Sequence, residues 1–452
     1  MSARLEQLEE FLKRYPDVSH IDAFIIDLCG NAIGKRLPRS QTESLFTTGT
    51  PTCAAMQLVD VLGNSADPMG YGFSDGDPDA FAKPIAGMMT PVPWNGPGHA
   101  QVLCELARAS DGAPLWYDPR HILDRVVKRF AELNLRPVVA AELEFYLIDA
   151  RRCEDGAPKP AASPRSGATE SQGKVLSLDK LDEFSSVLAA IENACAAQAI
   201  PTTTMISEYG AGQFEVNLAH QDDPVRAADH AALLRRVVQA VARADGMDAS
   251  FMSKPFTEQS GSGLHIHLSL QDSSGENVFD PARDDGDALL GHAVAGLQAI
   301  MAESMAIYAP NINVYRRFKP DQFVPVTKDW GENNRSVAFR LPIGNGQSRR
   351  LEHRVAGAEA NPYLVMAAVL AGAHHGLSNR LDPGDKHSGN AGAEADTRLP
   401  LTPWDSFRAI ARAEILPDYF GTEYAKIYAE VKQAEFDAFM ADAFSREFNW
   451  YL

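Results

Sequence analysis

Apolar residues recur at helical spacing over residues 5–12, and the run 21–28, closed by Gly30, has the density and length of a strand. From residue 34 to about 114 the chain is dense in Gly, Pro, Asp and Thr, with strand-like pieces such as 101–106, so this part predicts a small, turn-rich mixed domain. Tyr117-Asp118-Pro119 then opens a helix running to about Leu133, with Asp118 as N-cap and proline at the first helical position. The boundary is expected near Ala113-Pro114, which divides the chain into 1–113 and 114–452. Further helices are expected over 181–198, over 224–244 capped by Asp223, over 286–309, and over 362–376 capped by Asn361. Residues 151–174 and 382–397 are rich in small residues and proline without periodicity, which predicts long exposed loops that carry no core. No fixed-period repeat is present, so solenoids and propellers are excluded.

Four segments carry polar groups that a simple core pattern does not explain. Within 137–149, Glu142 and Glu144 share one strand face while Leu143, Phe145 and Leu147 occupy the other. Within 261–270, His265, His267 and Ser269 line one face behind the turn Gly261-Ser262-Gly263, and the opposite face is aliphatic. In 349–354, Arg350, Glu352 and Arg354 alternate with Arg349, Leu351 and His353. A surface ion-pair ladder would contribute little, but the next residues run straight into a capped apolar helix, which argues for a packed position. The segment 208–218 sets Glu208 and Glu215 on either side of a glycine-containing loop.

Glu142, Glu144, Glu208, Glu215, Glu352 and His265 make an oxygen-rich donor set with one imidazole, which suits Mg²⁺ or Mn²⁺ better than zinc. Carboxylates gathered without a cation would raise one another's pKa, so two or more divalent ions are expected per site, and with them an anionic substrate such as ATP. Arg316, Arg317, Arg335, Arg340, Arg349, Arg350 and Arg354 fall in one stretch of an otherwise acidic chain, and guanidinium forks match phosphate and carboxylate oxygens. Arg335 and Arg340 are an odd number apart, so at least one belongs on a loop. No GxxxxGK[ST] and no GxGxxG after a strand is present, which excludes a Walker site and a dinucleotide fold. Lys and Arg total 42 against 60 Asp and Glu, a formal charge of -18 that opposes nucleic acid as a partner. The five cysteines form no CxxC pair, which indicates neither disulfides nor a thiolate zinc site and fits a reducing compartment. With no apolar leader at the N-terminus and no stretch of about 18 apolar residues, the chain reads as cytoplasmic and not membrane-bound.

The motifs Phe251-Met252-Ser253-Lys254-Pro255 followed by Gly261-Ser262-Gly263-Leu264-His265-Ile266-His267, Gly212-Gln213-Phe214-Glu215, Asn334-Arg335-Ser336 and Asn361-Pro362-Tyr363 resemble, in that order, the glutamine synthetase superfamily from about Ile21 onwards. The resemblance implies an α+β fold: an N-terminal β-grasp domain plus a catalytic domain of curved antiparallel strands flanked by helices. It implies that Glu144, Glu208 and Glu215 hold one metal and Glu142, His265 and Glu352 the other. Arg317, Arg354 and the backbone of Gly261 would hold glutamate, while Arg335, Arg340 and Arg350 neutralise the ATP phosphates. His267, Ser269 and His220 would lie beside the nucleotide. The usual assembly of the family is a homo-oligomer of two stacked rings, often a dodecamer, with active sites between neighbouring subunits.

The departures from the family pattern bear on the substrate. Phe323 stands where ammonia-using members place a flap glutamate, and Val59-Asp60-Val61-Leu62-Gly63-Asn64 replaces a segment that supplies a second ammonium-site carboxylate. Ser260 replaces an asparagine that contacts glutamate, and 382–397 has no tyrosine, so adenylylation there is not expected. An aromatic ring in place of a carboxylate favours an amine with methylenes, at ~0.8 kcal/mol per buried CH₂, and the 60–64 segment resembles γ-glutamylpolyamine synthetases. The expected reaction is ATP-dependent ligation of an organic amine, a polyamine such as putrescine or a monoamine, to the γ-carboxylate of glutamate through γ-glutamyl phosphate. Arg335 and Glu208 are the catalytic candidates and Phe323 the amine-site candidate. The alternatives are a glutamine synthetase using ammonium and a non-catalytic metabolite-binding relative.

Overall fold

Two sheets organise the chain in this computed structural model, which describes residues 3–154, 156–443 and 447. The first contains β1 (His20–Ile26), β2 (Ala32–Pro38), β3 (Thr50–Cys53), β4 (Asp79–Pro91) and β5 (His99–Arg108), in the order β2-β1-β5-β4-β3. The central β1–β5 pair is parallel and the remaining pairs are antiparallel, the arrangement of a β-grasp sheet. The strand read over 21–28 begins one residue earlier and stops at Ile26, and helix Ala3–Arg14 packs on the sheet through β4. The 113/114 position lies in the connection between β5 and helix Pro119–Arg129, whose Asp118 side chain accepts from the Arg120 N–H as an N-cap.

The second sheet contains β6 (Arg136–Asp149), β7 (Thr202–Ser207), β8 (Gln213–Leu218), β9 (Met247–Ser250), β10 (Leu264–Gln271), β11 (Trp330–Glu332), β12 (Phe339–Leu341) and β13 (Leu351–His353). Its order is β11-β12-β13-β10-β6-β8-β7, with β9 beside β6. All pairs are antiparallel except β11–β12. Val139, Ala141, Leu143, Phe145 and Leu147 on β6, with Leu264, Ile266, Leu268 and Leu270 on β10, are buried on one face. Helix Pro224–Ala244 packs against β6 and β9, covering that face, so the polar stripes of the same strands point the other way. Burial of each large aliphatic side chain contributes about 1.5–3 kcal/mol, which holds the alternation in register.

Three helical expectations change. The helix read over 181–198 is two helices, Leu178–Glu183 and Ser185–Ala197, because Phe184 leaves helical geometry and turns its ring into the core against Phe214, 5.2 Å between centroids. Helix Pro362–Asn379 runs three residues past the expected end, with Asn361 accepting from the N–H groups of Tyr363 and Leu364. Helices Pro403–Ala411, Leu416–Phe420 and Tyr424–Met440 fall outside the segments that periodicity assigns. The two loops are also less exposed than their composition suggests, since Ala161, Ser163 and Ala391 are buried.

Helix Gly286–Tyr308 is long and apolar enough on average to cross a membrane, but 72% of its most apolar window is buried inside the protein. It is a core helix packed on Pro362–Asn379. Their axes approach closely because a Cβ at Gly296 would meet Gly372 O at 1.9 Å, and one at Gly376 would meet His292 O at the same distance. Gly296→Ala is therefore expected to destabilise the protein by about 2–3 kcal/mol through overpacking, read as a fall in thermal midpoint. Gly98→Ala, whose Cβ would meet nothing nearer than Ser19 Oγ at 3.5 Å, is the matched control and is expected to change little.

Candidate active site

Strand pairing brings the polar stripes together. Glu142 on β6 is opposite His265 on β10, Glu144 is opposite Glu215 on β8, and His267 is opposite Glu352 on β13. His265 lies at the centre, with Nδ1 3.3 Å from Glu142 and 3.9 Å from Glu352, and Nε2 4.0 Å from Glu144. Ligand atoms of Glu142, His265 and Glu352 lie within 4.8 Å of one another, as do those of Glu144, Glu215 and His265. Glu208 approaches from the loop after β7. It is half-buried, and its charge acts on Glu144 and Glu215.

A chain of hydrogen bonds sets the histidine tautomer. The Arg350 Nε–H donates to His267 Nδ1 at 3.1 Å, which leaves the proton on Nε2 to donate to Glu142 at 2.8 Å. Ser269 follows on the same strand face, and the His220 ring lies 6.0 Å from that of His267. Glu352 is 1% exposed and lies between two guanidiniums: Arg340 donates to it at 2.7 Å, and Arg354 donates to its other oxygen. Arg340 occupies β12, whereas Arg335 lies on the preceding turn, so the pair divides between strand and loop as the odd spacing requires. Arg335 opens onto a cavity of about 510 Å³ that Asn333, Lys386 and His387 also line. Arg317 donates to the Val355 carbonyl at 3.3 Å and crosses over Gly261, where a Cβ would meet Arg317 Cγ at 2.8 Å. The Nε atoms of Arg317, Arg340 and Arg354 are buried without a partner.

The electrostatics divide the cluster. Burial raises the Glu142 carboxyl, but hydrogen bonds from His265 and His267 outweigh it and hold the group below the usual range. Glu352, raised by burial and lowered more by Arg354 and the two histidines, rests at about 2. Glu144 and Glu215 are pushed well above the usual carboxylate range, by burial first and then by their acidic neighbours. Glu208 is raised by burial as well. His265 is held neutral by burial and by Arg354, which leaves its nitrogens available as ligands.

Some participants escape the sequence reading. Gln213 is fully buried and donates to the Gly261 carbonyl at 3.0 Å and toward Glu144 at 3.4 Å, while its oxygen accepts from the Gly210 N–H. It lies two residues before Glu215 on one strand face, so alternation was the available signal. Lys180, buried and donating to the carbonyls of Glu208 and Gly210, comes from a distant helix and carries no local signal. Phe323 lies 61% exposed on the segment after Arg317. That segment is tied at Asp321, whose N–H donates to Gly392 O at 2.9 Å and whose carboxylate accepts from Asn390 at 2.8 Å.

A family model described as glutamine synthetase, catalytic domain, matches residues 116–451. Over its whole length the chain is 38% identical to γ-glutamylputrescine synthetase PuuA of Escherichia coli, spanning 95% of that protein. It is 32% identical to a glutamate–isopropylamine ligase of a Pseudomonas species, over 94% of this chain and 93% of that one. A solved structure described as a GmaS/ADP complex superposes with TM-score 0.84 at 25% identity, over 98% of this chain and 99% of that chain. The chain belongs to the glutamine synthetase family, and it is an enzyme of the ATP-dependent carbon–nitrogen ligase class.

The family implies divalent metal, and the donors present fit one: the set is oxygen-rich, and Glu144 and Glu215 are held above their ordinary pKa by burial first and then by their acidic neighbours. Mg²⁺ or Mn²⁺ at a hundred times its Kd is expected to stabilise the fold by about 2.7 kcal/mol, seen as a rise in thermal midpoint. Glu215→Gln should remove most of that rise, and Gln213→Leu, which strips Glu144 of a donor, should weaken the ion about ten-fold by calorimetry.

Proposed function

We propose that the protein joins an organic amine to the γ-carboxylate of glutamate at the expense of ATP. An oxygen of the γ-carboxylate attacks the γ-phosphorus, the bond to the β,γ-bridging oxygen breaks, and ADP leaves. The amine nitrogen then attacks the carbonyl carbon of γ-glutamyl phosphate, phosphate departs, and the nitrogen gives up a proton. Two or more Mg²⁺ or Mn²⁺ ions, one held by Glu142, His265 and Glu352 and another by Glu144, Glu208 and Glu215, would supply charge neutralisation for the triphosphate. Arg335, Arg340 and Arg350 face the phosphates, with His267, Ser269 and His220 toward the rest of the nucleotide. Arg317, Arg354 and the Gly261 backbone hold glutamate, a reading that the partnerless Nε atoms of Arg317 and Arg354 support. Glu208, a half-buried carboxyl held above its ordinary pKa, accepts the amine proton. By the same family reading the protein is cytoplasmic, divides at 113/114 and assembles as a two-ring homo-oligomer with shared active sites; the five free cysteines fit that compartment.

The observation that carries the choice of nucleophile is Phe323: an exposed ring, not a carboxylate, on the tied segment beyond Arg317. Two full-length relatives whose names specify putrescine and isopropylamine support it. The direct test is ADP and phosphate release with glutamate, ATP and Mg²⁺ or Mn²⁺, comparing ammonium with diamines and monoamines. Turnover with an organic amine and little with ammonium is expected. Turnover mainly with ammonium would make the protein a glutamine synthetase, and none at all in metal-loaded protein would make it a binding relative. Phe323→Glu is expected to lower amine use relative to ammonium use by about ten-fold, and an unchanged ratio would remove Phe323 from the amine site.

A further inference from the structure

Phe323 has an aromatic partner. Its ring lies against that of Tyr209, centroids 6.1 Å apart and planes at 30°, and Tyr209 is 52% exposed. The rings come from separate segments, each held in place. Tyr209 directly follows Glu208 and donates its backbone N–H to the Glu208 carboxylate at 3.3 Å. The Lys180 ammonium fixes the flanking carbonyls of Glu208 and Gly210 at 3.2 and 2.7 Å. Phe323 is positioned by the Asp321 contacts to Gly392 and Asn390. Two apolar faces are therefore kept together in the open, and one of them directly follows Glu208 in the chain.

We propose that Tyr209 and Phe323 together form an aromatic wall that receives the carbon chain of a primary alkylamine, and that Tyr209 is a specificity-determining residue of the ligase. An amine nitrogen at Glu208 places its first methylenes against the adjacent ring, where apolar contact favours them. A second ammonium at the far end of a diamine meets a ring face, which attracts cations. Ammonium and hydroxylamine are too small to reach Glu208 and the rings at once, so the wall discriminates by chain length without touching the phosphoryl chemistry. This inference rests on the ligase reading.

The test is the ratio of kcat/KM for butylamine to that for hydroxylamine, measured by ADP release in the wild-type enzyme and in Tyr209→Ala, Tyr209→Phe, Phe323→Ala and the double alanine variant. Tyr209→Ala and Phe323→Ala are each expected to lower the ratio about ten-fold or more. Tyr209→Phe, which keeps the ring, should hold it within about two-fold. The double variant should fall short of the product of the singles, because each ring needs the other. Hydroxylamine turnover in each variant reports that the protein is folded and its phosphoryl chemistry intact. An unchanged ratio in Tyr209→Ala, or equal loss with both nucleophiles, overturns the assignment of Tyr209 while leaving the ligase standing. Absence of ADP release with any nucleophile in the wild-type enzyme overturns the ligase reading and this inference with it.

Discussion

The structure is governed by the cost of holding several carboxylates on the inner faces of neighbouring strands. Glu142, Glu144, Glu215 and Glu352 are brought level by the pairing of β6, β8, β10 and β13, and none of them faces bulk water freely. Buried charge of one sign is tolerated only where something of the other sign meets it. Two compensations divide the work here. Glu352 finds its counter-charge in two guanidiniums and Glu142 is held by hydrogen bonds from two imidazoles, and both are held low. Glu144, despite Arg317 and Arg354 nearby, and Glu215 are held high, by burial first and then by their acidic neighbours. The sheet therefore carries two groups of possible metal ligands around His265, one already hydrogen-bonded to protein donors and one whose carboxyls are held high.

The arginines around it serve two masters. Arg340 and Arg354 grip Glu352 yet each keeps a buried Nε without a partner, and Arg350 orients His267 while bonding to the Ser348 carbonyl. Removing one partner of such a buried pair costs about 3–5 kcal/mol, so these contacts also hold the side chains of the cluster in place.

Strand alternation made much of this legible in advance. The Glu142/Glu144 and His265/His267/Ser269 stripes were visible because their reverse faces are aliphatic, and an i, i+2 pattern leaves only one way to bury them. What alternation does not encode is register. That Glu144 meets Glu215 directly, and that His265 serves both ligand groups, depends on pairing between strands far apart in sequence. Lys180 and Tyr209 were hidden for the same reason, since each acts through a loop that the fold alone brings to the cluster. The helix read over 181–198 failed locally: Phe184 fits the periodicity, yet its ring is better placed in the core against Phe214 than on a continuous helix. Composition misled for 382–397, which looks like a plain connection and is not one.

That loop ties the two sides of the site together. Gly389 O accepts from Asn334 Nδ2 at 2.8 Å and from Ser336 Oγ at 3.3 Å, and Ser336 Oγ in turn accepts from the Ala391 N–H at 2.9 Å. A few residues on, Asn390 and Gly392 hold Asp321. One short stretch thus anchors both the turn that carries Arg335 and the segment that carries Phe323. Side chains at loop tips such as Phe323 can vary without disturbing the charge balance of the strands beneath them. Because the same loop carries both contacts, the positions of Phe323 and Arg335 are not independent.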